Sequence, residues 1–177
     1  MKKALIFILI FFIGAFKIQA QVKFDTCQYI VKFAGEWRYA NGIDTIRVYL
    51  RPIRAFDTDF QGVQDVLYGW HEYKKGNIII ESVYQNRFMP VNVDTITIRS
   101  FSIGLKMGSG LDCNSSSRTA SGAINDYLQA NETKVVTITL DPTGTIMTWK
   151  QRHSEGYGVF TGATGMTLPR EFVLFKQ

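Results

Sequence analysis

The stretch KVVTITLDPTGTIMTWKQR, residues 134–152, decides the fold class of this chain. Apolar and polar residues alternate on both sides of Asp141-Pro142-Thr143-Gly144, which is the pattern of two half-buried strands joined by a turn. Pro142 presets a backbone φ that suits the turn, and Gly144 can take the left-handed conformation that closes it. The stretch therefore predicts an antiparallel hairpin with a well-defined register.

The same alternation recurs along most of the chain. In residues 44–51, for example, Ile46, Val48 and Leu50 fall on one face and polar residues fall on the other. Further strands are predicted at 37–40 (followed by an Asn41-Gly42 turn), 66–73, 78–84, 94–103, 119–127 and 171–175. Residues 104–118 are rich in Gly and Ser and are predicted to form a long irregular loop. Gly122 is predicted to mark a bulge or a close approach of two backbones.

These patterns predict an all-β domain of about eight to nine strands. Hairpin connections throughout favour an antiparallel up-and-down barrel or half-barrel, because closure removes exposed strand edges. A two-sheet β-sandwich is the alternative. The length is typical of a single domain, and we expect residues 21–177 to form it without a linker.

The first twenty residues predict a signal peptide. Lys2 and Lys3 precede an apolar run, 4–16, that is too short to span a bilayer, and Ile18-Gln19-Ala20 fits a small-residue cleavage site. The mature chain is then expected to begin at Gln21 and to be exported to the periplasm or outside the cell. No later apolar run is long enough for a membrane helix, so no integral membrane segment is expected.

The charge of the chain argues against nucleic-acid binding. Three of the 20 basic residues, Lys2, Lys3 and Lys17, lie in the predicted signal peptide, so the net charge falls from +5 to about +2 when it is removed. The remaining Lys and Arg residues are interspersed with acids and form no basic patch in the sequence.

Cys27 and Cys113 are the two cysteines of the chain. Export into an oxidising compartment favours a disulfide between them over two free thiols. Such a bond would tie the start of the mature chain to the predicted 104–118 loop. Neither cysteine has a second one nearby, so neither a zinc knuckle nor a CxxC redox site is predicted.

Gly35-Glu36-Trp37, at the start of the first predicted strand, resembles the Gly-x-Trp signature of the lipocalins and the wider calycin barrels. The resemblance implies that Trp37 plugs one end of a lipocalin-like barrel and that an arginine from a late strand, Arg152 or Arg170, packs over it. Residues 35–52, 67–82 and 135–152 also resemble uncharacterised small exported β-domains of Gram-negative bacteria. That resemblance implies a calycin-like barrel and no particular reaction.

Titratable residues show no catalytic or metal-binding motif. His71 and His153 have no second ligand at a suitable spacing, and His71 is predicted to be a partly exposed strand residue facing away from Glu72. Asp57, Asp59 and Asp65 are predicted to lie in a solvated loop. We therefore expect no metal, no cofactor and no enzymatic activity.

Tyr68 and Trp70 share one face of their predicted strand. They are either core aromatics or contacts for a ligand, and this leaves two kinds of function open. In the first, the barrel interior or mouth binds a small apolar ligand without catalysis. In the second, an exposed face of the protein binds another protein or a glycan.

Overall fold

A computed structural model describes residues 28–57, 62–90, 101–107, 118–128, 132–153 and 167–177. These residues form an all-β structure with two short 3-10 helices, Ile30–Phe33 and Tyr84–Phe88. The strands are β1 (Gly35–Asn41), β2 (Asp44–Asp57), β3 (Gly62–Lys75), β4 (Ile78–Ser82), β5 (Ile103–Met107), β6 (Thr119–Asp126), β7 (Glu132–Leu140), β8 (Ile146–His153) and β9 (Glu171–Lys176).

The strands close into an antiparallel barrel of eight strands with one strand added outside it. The hydrogen-bonded order is β2-β1-β9-β8-β7-β6-β5-β3-β4, and a further pairing of β2 with β3 closes the ring. β4 pairs with the end of β3, while β5 pairs with an earlier part of β3. The predicted barrel is therefore confirmed, and the sandwich alternative is wrong.

Several strand predictions differ from the structure. The predicted strand 78–84 ends at Ser82, and Tyr84 begins the second 3-10 helix. β2 and β3 pair over 14 residues each, from Asp44↔Lys75 to Asp57↔Gly62, and so run well beyond the predicted 44–51 and 66–73. Residues 103–107 form β5, although residues 104–107 belong to the segment that was predicted to be an irregular loop. A Gly between two apolar residues hides the alternation there, and pairing with β3 and β6 supplies the order that local sequence does not.

The barrel interior is one hydrophobic cluster to which all eight barrel strands contribute. Representative members are Trp37, Ile46, Leu67, Ile103, Ala120, Ile138, Trp149 and Leu174. Trp37, Ile138 and Trp149 have no accessible surface. A side chain beside a void that admits water would keep some accessible surface. The side chains packed around these three residues therefore exclude water from them.

Two local predictions about glycines are confirmed. Gly144 has a φ of 72° in the β7–β8 turn. Gly122 lies where β5 and β6 approach closely, since a Cβ placed on it would be 2.0 Å from the Gly104 carbonyl oxygen. The predicted signal peptide, Cys27, Cys113 and residues 94–100 of a predicted strand lie outside the described residues.

Candidate functional site

Tyr68 and Trp70 lie on the outer face of β3, not in the barrel interior. They belong to a second hydrophobic cluster with Ala55, Val66 and Phe101. Tyr68 stacks on Phe101 with ring centroids 4.0 Å apart, and Trp70 is fully buried. The two aromatics are thus core residues of a small cluster outside the barrel, and they line no interior cavity.

The predicted Gly-x-Trp residues lie at one end of the barrel. Gly35 begins β1 with a φ of 113°, and Trp37 is buried directly below the first 3-10 helix. The Trp37 indole Nε1 donates a hydrogen bond to the Phe33 carbonyl oxygen, at 2.8 Å. This bond satisfies the indole N–H and fixes the helix over the end of the barrel.

The cation over Trp37 is a lysine of the last strand. Lys176 Nζ lies 5.3 Å from the Trp37 ring centroid and donates a hydrogen bond to the Lys32 carbonyl oxygen. Arg152 and Arg170, the predicted candidates for this position, are exposed. Lys176 reaches this position because the last strand, β9, pairs with the first strand, β1. The local sequence around Arg152 or Arg170 does not reveal that pairing.

The outer face of the long β2–β3 hairpin carries aromatic and arginine side chains, covered in part by the second 3-10 helix. We call it the aromatic–arginine face, and it consists of Tyr49, Arg51, Trp70, Tyr84, Arg87, Phe88 and Met89. Tyr49 contacts Trp70 and Phe88, with ring centroids 6.2 and 5.6 Å away. Phe88 and Met89 are 67% and 54% exposed.

The arginines of this face are held in place. Arg51 lies over the Trp70 ring at 4.8 Å and donates hydrogen bonds to the carbonyl oxygens of Arg87 and Met89. Arg87 lies 4.3 Å from the ring centroids of both Tyr84 and Phe88. Cation–π contacts and bonds to backbone thus fix the segment 84–89 on the hairpin.

Beside this face, a charged groove of about 400 Å³ runs across the outer side of β1, β2 and β3. It is lined by Glu36, Arg38, Thr45, Arg47, Glu72, Lys74 and Gln177. Arg47 bonds to Glu36 at 2.9 Å and faces Glu72 at 3.6 Å, and Lys74 pairs with Glu72 at 3.2 Å. Glu72 therefore points outward, away from His71, as strand alternation predicts.

Tyr84 joins the charged groove to the aromatic–arginine face. Its ring lies 4.3 Å from the Arg47 guanidinium. Burial and the neighbouring Glu36 carboxylate raise the pKa of the Tyr84 phenol to about 12. Burial alone would raise the pKa of Glu36, but the hydrogen bonds and charge of Arg47 outweigh it and hold that pKa below its usual value. Both groups therefore keep their ordinary charge near neutral pH.

His71 lies in a buried polar cluster, so the prediction that it is partly exposed is wrong. It is 1% exposed, with Ser102 Oγ 2.7 Å from its Nδ1 and Glu81 Oε1 3.3 Å from its Nε2. Glu81 also accepts a hydrogen bond from the Tyr127 backbone N–H. Ser, His and a carboxylate are the groups of a hydrolase triad. However, Ser102 is itself only 1% exposed, so its hydroxyl is not presented to a substrate.

Sequence reasoning missed this cluster because its members come from separate elements: β3, β4 and the residue before β5. Ser102 follows His71 by 31 positions. Asp65 also differs from its prediction, since it lies within β3 and pairs with Arg54 at 3.0 Å. Asp59 lies outside the described residues, and Asp57 ends β2.

The described ranges of the chain contain neither a cluster of metal-ligating side chains nor a helix suited to crossing a membrane. Across these ranges, no group of three or more His, Cys, Asp or Glu side chains is arranged to hold a metal ion. Over the same part of the chain, no helix has the length and apolar character needed to cross a membrane.

Comparison with known proteins adds a family but no activity. One family model, described as having unknown function, matches residues 1–177. Searches of curated proteins and of solved structures found no significant match.

Proposed function

The chain belongs to DUF6705, a family of unknown function, and we propose that it is an exported β-barrel that binds a protein partner through its outer surface and catalyses no reaction. The binding surface is the aromatic–arginine face. The observation that carries the proposal is the exposure of Phe88 and Met89 above a set of fixed arginines and aromatics.

The composition of this face fits a protein interface. Aromatic residues, Met and Arg are enriched in interfaces. In this face Phe88 and Met89 are exposed and the two arginines are half-buried, whereas Trp70 and Tyr84 are buried. Phe88 offers a large apolar contact, and the flexible Met89 can adapt to the partner's shape. Arg51 and Arg87 are already held in position, which lowers the entropy lost on binding. A protein is therefore preferred to a glycan as the partner.

The competing proposal is a small apolar ligand in the barrel, with Tyr68 and Trp70 as contacts. Both side chains are buried outside the barrel, and the interior cluster leaves no accessible surface on its central tryptophans. A ligand of this kind would have to displace packed side chains. The packing thus favours binding on the outer face.

Export and a single disulfide belong to the same proposal. The predicted signal peptide at residues 1–20 would deliver the domain to the periplasm or outside the cell. The lipocalin-like relationship implied by Gly35 and Trp37 is also a proposal, supported by the closed eight-stranded barrel and by the burial of Trp37 at one end.

Site-specific photo-crosslinking in the native host tests the binding surface. A photoreactive phenylalanine analogue replaces Phe88 in one variant and Phe175 in the control. Phe175 is 53% exposed on the outer face of β9. We expect a discrete protein adduct from position 88 and none from position 175. Phe88→Ala in the purified complex should weaken binding by about 30-fold or more, as expected for a hot-spot aromatic.

The same preparation also tests the competing proposal. Native mass spectrometry of protein purified gently from its host would reveal a bound small molecule. An apolar molecule released at one per chain, together with no adduct from position 88, would replace surface binding with interior ligand binding. Identical adducts from positions 88 and 175 would also contradict the proposed surface.

A further inference from the structure

Two side-chain carboxylates line the charged groove, and neither of them pairs with Arg38. Glu36 pairs with Arg47, and Glu72 pairs with Arg47 and Lys74. Within the described residues, no hydrogen bond or ion pair holds the Arg38 side chain, which is exposed.

Arg38 also lies directly opposite another arginine. The β1–β2 register pairs Arg38 with Arg47, and like charges in such a pair repel one another. An anion paired with the Arg38 guanidinium would relieve this repulsion, since the Arg47 guanidinium already bonds to Glu36 and faces Glu72. Arg is well suited to that role, since its planar fork matches the geometry of a carboxylate.

The rest of the groove is suited to hydroxyl groups. The Glu36 and Glu72 carboxylates accept hydrogen bonds, the Lys74 ammonium donates them, and the Thr45 hydroxyl does both. The volume, about 400 Å³, lies near the lower end of the range of small-molecule sites, which is about 300 to 1,000 Å³. The groove therefore suits a small polyol with one anionic group.

We propose that the charged groove binds a sugar acid, whose carboxylate pairs with Arg38 and whose hydroxyls bond to Glu36, Glu72 and Thr45. This site differs from the aromatic–arginine face and does not depend on a protein partner. It is reached from solvent, since the groove is open on the outer side of the barrel.

Isothermal titration calorimetry of the purified mature protein with glucuronate tests the site. Glucose and sodium sulfate are the comparison ligands, because one lacks the carboxylate and the other lacks the hydroxyls. We expect saturable glucuronate binding in the millimolar range or tighter, with glucose and sulfate each at least about tenfold weaker. Arg38→Gln should reduce glucuronate binding at least about tenfold.

Arg170→Gln is the matched control, since it removes the same charge from an exposed arginine outside the groove. It should leave glucuronate binding unchanged. Thermal unfolding gives a second readout: without ligand, Arg38→Gln should be at least as stable as the wild type because the repulsion from Arg47 is gone. Glucuronate should then raise the melting temperatures of the wild type and of Arg170→Gln, and leave that of Arg38→Gln unchanged.

Three results would overturn the proposal. They are no saturable glucuronate binding, equal binding of sulfate and glucuronate, and equal loss of binding in the Arg38 and Arg170 variants. None of them bears on the crosslinking result at Phe88, because the titration contains no protein partner.

Discussion

At the scale of single residues, the buried His71–Glu81 contact has consequences for stability. The two groups lie 3.3 Å apart and are 1% and 7% exposed. Removing one member of such a pair leaves the other buried without its counterpart. We expect His71→Leu to lower the free energy of unfolding by about 2 kcal/mol, because it leaves the buried Ser102 hydroxyl and Glu81 carboxylate without the imidazole. Urea unfolding followed by tryptophan fluorescence measures this.

The double variant His71→Leu/Glu81→Leu is the control for this prediction. It removes both polar groups, so it should be more stable than the His71 variant alone. The single variant Glu81→Leu completes the comparison. If the loss of unfolding free energy in the double variant equalled the sum of the losses in the two single variants, His71 and Glu81 would not be energetically coupled, and the contact would be refuted as a stabilising unit.

Gly122 provides a second prediction at the residue scale. A Cβ at this position would meet the Gly104 carbonyl oxygen at 2.0 Å and the Leu105 Cα at 2.8 Å, both of which are backbone atoms. Gly122→Ala should therefore force β5 and β6 apart and cost about 3 kcal/mol. Gly104→Ala is the matched control, because its nearest contact would be the Phe101 ring at 3.7 Å. Equal melting temperatures of the two variants would contradict the close approach.

At the scale of secondary-structure elements, the β7–β8 hairpin depends on Asp141. Its carboxylate accepts hydrogen bonds from the Thr143 hydroxyl and from the backbone N–H groups of Thr143, Thr145 and Ile146. These bonds, with the Thr143 hydroxyl as the largest contribution, lower the pKa of Asp141 from 3.8 to about 2. The ionised carboxylate is thus part of the turn.

The lowered pKa predicts how stability depends on pH. A carboxyl group whose pKa is lower in the folded state stabilises that state fully at pH values above its pKa in the unfolded chain. This stabilisation is lost as the pH falls through its pKa in the folded protein. The stability difference between wild type and Asp141→Asn should therefore shrink between about pH 4 and pH 2. Urea unfolding of both proteins at several pH values measures it. The other acidic groups titrate in both proteins, so their effects cancel in the difference. A stability difference between the two proteins that stayed constant over this pH range would refute the role of Asp141.

Elements were predicted best where local chemistry is strong. The β7–β8 hairpin has both alternation and an Asp-Pro-x-Gly turn. Its predicted strands agree with the observed ones to within one residue at each end, except that β7 begins two residues earlier, at Glu132. Prediction was weakest where order depends on distant partners. β5 is flanked by β3 and β6, so its extended backbone follows from pairing across the sheet.

At the scale of the whole molecule, the predicted export and disulfide can be tested together. Protein exported by its native host should begin at Gln21, and its intact mass should be lower by two hydrogens than that of the reduced chain. Mass spectrometry before and after reduction measures both. Cys27→Ser is the control, since its mass should not change on reduction. An unshifted wild-type mass would indicate free thiols, and retention of residues 1–20 would contradict the signal peptide.

The sequence by itself determined the all-β class and the antiparallel hairpins, because alternation and turn residues act over a few neighbouring positions. Only the tertiary structure decided that Trp70 lies outside the barrel, that Lys176 covers Trp37 and that His71 is buried beside Glu81. Each of these depends on which strands become neighbours when the sheet closes. Closure brings together residues far apart in the chain, and no local pattern encodes that pairing.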